Sequence, residues 1–206
     1  MLFRSHLINP KKLTRYSKFT QLDFWTAVIA MVGVLTLGIL QGLLLADLIG
    51  LLALLIGTKT RSTSILGKVP GEKIYLGLEN YPEGETYPGL LILRFDGSLY
   101  FANAPDAANE LRAAIEMSDP SPKVVLIDGE SINSIDATAI IQLEEVVDEL
   151  KRSGIGLKFA RIRSNVMEIV ERTGFIETVG SHNFYISNQD AVDAFLVEQE
   201  QQEIIS

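Results

Sequence analysis

The 206 residues contain no cysteine, so disulfide frameworks, thiolate zinc sites and cysteine nucleophiles are excluded. Histidine is almost as scarce: His6 and His182 have no companion at a metal-ligating spacing. Grouped positive charge is also limited. The formal net charge is -8, with 18 Lys and Arg against 26 Asp and Glu. That argues against nucleic acid as a partner, because phosphate recognition rests on clustered cations. There is no Walker pattern, since Val69 follows Gly67-Lys68, and no dinucleotide glycine fingerprint opens a helix. Asp128 and Asp136 could be imagined as paired carboxylates, but nothing in the sequence sets them face to face. No catalytic residue, cofactor or metal site is expected.

Mean hydropathy is positive although 21% of the residues are charged, so the apolar residues must be concentrated. They lie in residues 24–57, where Asp47 is the one charge and Thr26, Thr36 and Gln41 the polar interruptions. An apolar run longer than about 18 residues predicts a membrane segment. It is too long, and starts too far into the chain, for a signal peptide. As a single helix it would reach about 50 Å, against a hydrocarbon core of about 30 Å. A break is expected at 38–42, where Gly38 and Gly42 flank Gln41.

Arg4, Lys11, Lys12, Arg15 and Lys18 precede the run, and Lys59, Arg61 and Lys68 follow it. Basic residues favour the cytoplasmic side, so both ends belong there, which a hairpin satisfies and one crossing does not. Each arm would be only about 22 Å long, so the hairpin is expected to sit in lipid within a larger helical bundle. Asp47 marks an ion path or sits at a bent helix end within reach of water. The expected organisation is a basic cytoplasmic or interfacial segment at 1–23, a transmembrane helical hairpin at 24–57, a linker at 58–64 and an α/β domain at 65–206.

In that last region strands are expected at 74–78, 90–95, 98–101, 124–127, 157–160 and 184–186, with a turn at Asp96-Gly97. Residues 81–89, with two prolines and two glycines, read as a loop. Asn103 is placed to cap a helix running to about residue 117 with Pro105 in its first turn. A second helix spans 136–152, with Ile140, Leu143, Val147 and Leu150 at helical spacing. The apolar run 124–127 suits a strand buried on both faces, and 124–160 then forms a parallel strand-helix-strand crossover. Ser164 is expected to cap a short helix ending at Gly174. Ser187 with Asp190 resembles a capping box for a C-terminal helix that frays over 198–203.

The stretch 128–138 holds the candidate regulatory residues Asp128, Ser131, Ser134, Asp136 and Thr138. It joins a buried parallel strand to a helix, where α/β folds place their sites. Asp136 can accept bonds from first-turn amides, and a phosphoryl group on Thr138 would meet the partial positive charge of the helix start. The plainer alternative is that Asp136 only caps and Thr138 only packs.

Taken in order, the apolar hairpin, Leu66-Gly67-Lys68-Val69-Pro70-Gly71, Tyr81-Pro82-Glu83 and the run from Leu93-Arg94-Phe95-Asp96-Gly97 to Phe101-Ala102-Asn103 resemble the end of a SulP anion permease. Asp128 followed by Ile135-Asp136-Ala137-Thr138 resembles the signature loop of STAS domains (sulphate transporter and anti-sigma antagonist). The resemblance implies a STAS domain with a mixed β-sheet and packed helices. It would lie on the cytoplasmic side of the inner or plasma membrane, in a dimeric secondary transporter of sulphate, bicarbonate or a related inorganic anion. The earlier helices of such a transporter, which hold the anion, are not in this chain. In anti-sigma antagonist relatives the helix start carries Asp, two hydroxyl residues and glycine, and a serine there is phosphorylated. Asp136, Ala137, Thr138 and Ala139 stand at those positions, leaving Thr138 as the candidate. The other reading is a free-standing, membrane-tethered STAS module acting on a separate protein.

Overall fold

The computed structural model describes residues 21–57 and 63–205. They fall into two compact units, one within Met1–Lys59 and one within Thr60–Ser206. The basic segment before residue 21 and most of the expected linker lie outside the described residues.

The first unit is a pair of helices, α1 (Gln21–Leu37) and α2 (Ile39–Gly57). The break between them is Gly38, whose φ of 96° is a conformation that residues with a Cβ rarely adopt. The helices then pack closely. A Cβ on Gly42 would overlap the backbone of Val34, and one on Gly33 would lie 3.5 Å from the Leu45 side chain. The break thus falls at the start of the expected 38–42 interval, and Gly42 serves helix contact instead. Most described apolar side chains here, including Trp25, Leu35, Ile39, Leu43 and Leu48, are exposed. Among the described residues no helix is long and apolar enough to cross a membrane.

The second unit is a six-stranded sheet of order β2-β1-β3-β4-β5-β6. Its strands are β1 (Thr63–Lys68), β2 (Tyr75–Gly77), β3 (Leu90–Phe95), β4 (Val124–Asp128), β5 (Gly156–Ala160) and β6 (Phe184–Tyr185). β3 to β6 are parallel, with Leu93 opposite Ile127 and Ile127 opposite Phe159. β1 is antiparallel to both neighbours and divides between them. Its first half pairs with β3 and its second with β2.

Side chains alternate across the sheet with the period of two that a strand imposes. Leu91, Leu93, Phe95, Val125, Ile127, Leu157 and Phe159 face α3 (Ala104–Glu116), α4 (Ala137–Arg152), α5 (Ser164–Arg172) and α6 (Phe175–Val179). Leu90, Ile92, Leu126 and Ala160 face the other way, towards Ala191, Val192 and Phe195 of α7 (Asn188–Ile205). α4 buries Ile140, Leu143, Val146, Val147 and Leu150 on one stripe, each contributing about 1.5–3 kcal/mol of transfer free energy.

The structure corrects several expectations. Residues 98–101 are not a strand. Leu99 makes one parallel bridge to Ile135 and its side chain is buried, which gives the stretch its strand-like look. Asn103 does not cap α3 with its side chain. Its Oδ1 accepts from Tyr100 N at 2.8 Å and its Nδ2 donates to Ser98 O at 2.8 Å, closing the turn instead. Ser164 is the first residue of α5, and Arg163 is the cap position. Gly174, with φ of 77°, ends that turn and opens the separate helix α6. The Ser187–Asp190 cap is present, with Asp190 N donating to Ser187 Oγ at 3.2 Å, but α7 continues to Ile205 rather than fraying from 198.

Candidate functional site

The connection from β4 to α4 carries the expected regulatory residues and is fastened at both ends. At its start Asp128 is fully buried, 0% exposed, at the C-terminal end of β4. Its Oδ1 accepts from Glu130 N at 2.9 Å, and its Oδ2 from Asn188 Nδ2 at 2.8 Å and Arg161 Nη1 at 3.4 Å. Three donors, one of them cationic, are what a buried carboxylate requires. Arg161 reaches it from an unusual backbone conformation, φ 59°, with its own N donating to Tyr185 O at 3.2 Å. The same guanidinium pairs with Glu130. Gly129 is required by close approach, because a Cβ there would overlap the Ile162 side chain.

At the far end Asp136 is the N-cap of α4, and each of its oxygens has one donor. Oδ1 accepts from Ala139 N at 2.9 Å and Oδ2 from Phe101 N at 2.8 Å. Asp136 N in turn donates to Leu99 O, and Leu99 N to Ser134 O. Asp136 therefore does more than cap: it ties the turn after β3 to the start of α4. Asp128 and Asp136 belong to separate hydrogen-bond sets.

Thr138 is exposed in the first turn of α4. Beside Asp136 stands Phe101, 67% exposed, with the Tyr100 ring edge-on at 6.2 Å. An exposed aromatic ring thus stands next to the residue that caps α4, and an exposed hydroxyl lies in the first turn of that helix. A phosphoryl group on Thr138 would there be stabilised by the helix dipole and would add charge without a burial cost. Ser131 is half-buried, Ser134 is exposed, and Asp47 is exposed on α2. Among the described residues no cluster of three or more His, Cys, Asp or Glu could hold a metal.

Sequence reasoning located Asp128 but missed Arg161 and Asn188, which lie 33 and 60 positions further along the chain. No local pattern signals them. Only the parallel order β4-β5-β6 brings the ends of those elements together.

The described residues from 63 onward thus form an α/β domain, its mixed sheet covered by several helices on one face and by one long terminal helix on the other, with a capped loop after a buried strand. The sequence profile of the STAS domain matches residues 81–191, and the chain belongs to that family. Probable sulfate transporter Rv1739c of Mycobacterium tuberculosis is 28% identical over 189 residues, covering 92% of this chain and 34% of its own length. Sulfate transporter 1.1 of Arabidopsis thaliana is 29% identical over 183 residues, covering 85% of this chain and 28% of its own. The chain thus spans about a third of the length of these relatives. Among solved structures, the murine anion transporter Slc26a9 in its inward-facing state superposes with a TM-score of 0.78 at 21% identity, covering 90% of this chain and 30% of that one. A structure of SLC26A9 gives 0.82 at 16%, covering 94% and 33%. At these identities the superpositions establish the fold.

Proposed function

We propose that this chain is the C-terminal part of a SulP-type secondary transporter of sulphate, bicarbonate or a related anion, and not an enzyme. The observation that carries the reading is the joining of a glycine-broken apolar helix pair to a STAS domain in one chain. Sulfate transporters align across 92% of it, beyond the STAS domain alone.

On this reading α1 and α2 lie in the membrane. With 17 and 19 residues they are about 26 and 28 Å long, slightly under the hydrocarbon thickness. Their exposed apolar surface meets lipid and the rest of a helical bundle, as short, glycine-interrupted helices require. The STAS domain then lies in the cytoplasm, contributing regulation and contacts within a homodimer. The start of α4, with exposed Thr138 and half-buried Asp136 next to exposed Phe101, is the regulatory face, with Thr138 the residue for modification.

A graft tests this. Residues 21–206 replace the matched third of the M. tuberculosis relative, and sulfate uptake is measured in cells against the relative truncated before that third. Restored uptake supports the reading. A graft that reaches the membrane in normal amount but transports no better than the truncated protein refutes it.

A further inference from the structure

The helix α7 lies on the sheet through a stripe of Asn188, Ala191, Val192 and Phe195, all buried. It starts at the C-terminal end of β4, where Asn188 bonds Asp128. Gln199 stands at the other end of the strands, its side-chain nitrogen 3.2 Å from where a Cβ on Gly89 would be. Gly89 O accepts from the backbone of Lys123 and Val124, which marks that edge. Residues 188–199 therefore take α7 across the sheet. The helix nevertheless continues to Ile205, about 9 Å past the edge.

At about 100° per residue, the positions opposite the buried stripe are Asp190, Asp193, Val197, Glu200, Gln201 and Ile204, and all are exposed. Val197 is 52% and Ile204 84% exposed. Both are β-branched, so neither is there for helix propensity, and neither is buried in the domain. Two apolar side chains seven residues apart, set among three carboxylates, form a stripe about 21 Å long.

The charge on this helix is one-sided. Residues 188–205 include Asp190, Asp193, Glu198, Glu200 and Glu203 and no Lys, Arg or His. The last turn has no basic residue, although the carbonyl end of a helix favours cations. Asp190 and Asp193 each accept one bond from a neighbouring side chain, Ser187 and Gln189, which leaves their charge in place. Of the cations around α7, Lys158 is held beneath it by Glu198, and Arg161 by Asp128 and Glu130. Lys73 lies by the helix start and Lys123 beside Gly89. None is on the outer stripe. A second copy of the same face would set carboxylate against carboxylate, and an anionic lipid surface would also be repelled.

We propose that the outer stripe of α7 docks a cationic amphipathic helix of a separate protein. Its apolar residues pack on Val197 and Ile204, and its Lys or Arg residues meet Asp190, Asp193, Glu200 and the carbonyl end of α7. α7 and α4 cover opposite faces of the sheet, so this surface is separate from the start of α4 and does not depend on the chain being part of a transporter.

The test uses the full chain in phosphatidylcholine nanodiscs and a fluorescently labelled helical peptide of leucine and lysine, with its leucines at helical spacing. Anisotropy is read against empty nanodiscs, and a leucine–glutamate peptide is the charge control. Saturable binding of the first peptide and none of the second are expected. Glu200→Lys and, separately, Val197→Ser with Ile204→Ser should each weaken binding about tenfold with an unchanged circular dichroism spectrum, because all three positions are exposed. Glu145→Lys, at an exposed position of α4, should leave the affinity as it is. Equal binding of the glutamate peptide, unchanged affinity in both α7 variants, or a loss from Glu145→Lys as large as that from Glu200→Lys overturns the proposal. So does self-association of the chain through α7 that excludes the peptide.

Discussion

Replacing Glu198 with Gln tests how α7 is held to the sheet. Lys158 lies in β5, with its side chain 5% exposed, on the face covered by α7. Its Nζ lies 2.8 Å from Glu198 Oε1, 3.0 Å from Tyr185 Oη and 5.2 Å from the Tyr185 ring centre. Replacing the carboxylate with an amide leaves a buried ammonium with two neutral acceptors, Tyr185 Oη and the new amide oxygen, and no counter-charge. For fully buried pairs that loss costs about 3–5 kcal/mol. Glu198 is half exposed, so water takes up part of the deficit, and the expected cost is about 2 kcal/mol.

Lys158→Met behaves differently, because it removes the buried charge together with its desolvation cost and fills similar volume. Its expected effect is within about 1 kcal/mol of zero. The double variant should cost no more than Lys158→Met alone, since the pair is coupled. Urea unfolding of the STAS domain in the full chain, in detergent and followed by circular dichroism, gives all three values. Lys158→Met costing more than Glu198→Gln would refute the reasoning. Burial alone would lower the Lys158 pKa, but the bonds to Glu198 and Tyr185 outweigh it and hold it above the ordinary lysine range. The contribution of the pair is therefore complete below that range and is lost as pH rises through the raised value.

Further expectations concern other parts of the chain. Asp136→Ala removes the α4 cap and the tie to Phe101, and should destabilise the domain by about 1–2 kcal/mol in the same unfolding assay. Asp136→Asn, which keeps an acceptor, should cost less than half as much. Gly42→Leu places a side chain against the Val34 backbone and should separate α1 from α2, read as a longer distance between spin labels placed one on each helix. The two-pronged ion pair of Arg112 with Glu149 joins α3 to α4, and hydrogen bonding to Arg112 holds the Glu149 pKa below its usual value. Its contribution is present above the ordinary glutamate range and fades as pH falls through the lowered value. Both groups are partly exposed, so Glu149→Gln should cost under about 1 kcal/mol, and less in high salt.

The elements legible in the sequence were those whose burial repeats with a local period. The strand 124–127 and the α4 stripe from Ile140 to Leu150 are examples. β1 was not legible. Thr63-Ser64-Ile65-Leu66-Gly67-Lys68 has one fully buried large side chain, Leu66, and its strand character comes from two different partners at its two halves. Leu99 misled in the opposite sense: it is buried, but it plugs a turn. In the candidate site, Asp136 could be read because capping is local. The Asp128 cluster could not, because Arg161 and Asn188 reach it only through sheet order. Gly38 was named within an interval of five residues, and its positive φ decided which glycine breaks the helix.

The central claim is that the apolar segment folds back in the bilayer, so that the basic leader and the STAS domain share one compartment. The absence of native cysteine makes single-site labelling clean. Lys12→Cys and Glu171→Cys, placed separately in the full chain in sealed inside-out membrane vesicles, should both react with an impermeant maleimide. Labelling of one with protection of the other would contradict the account.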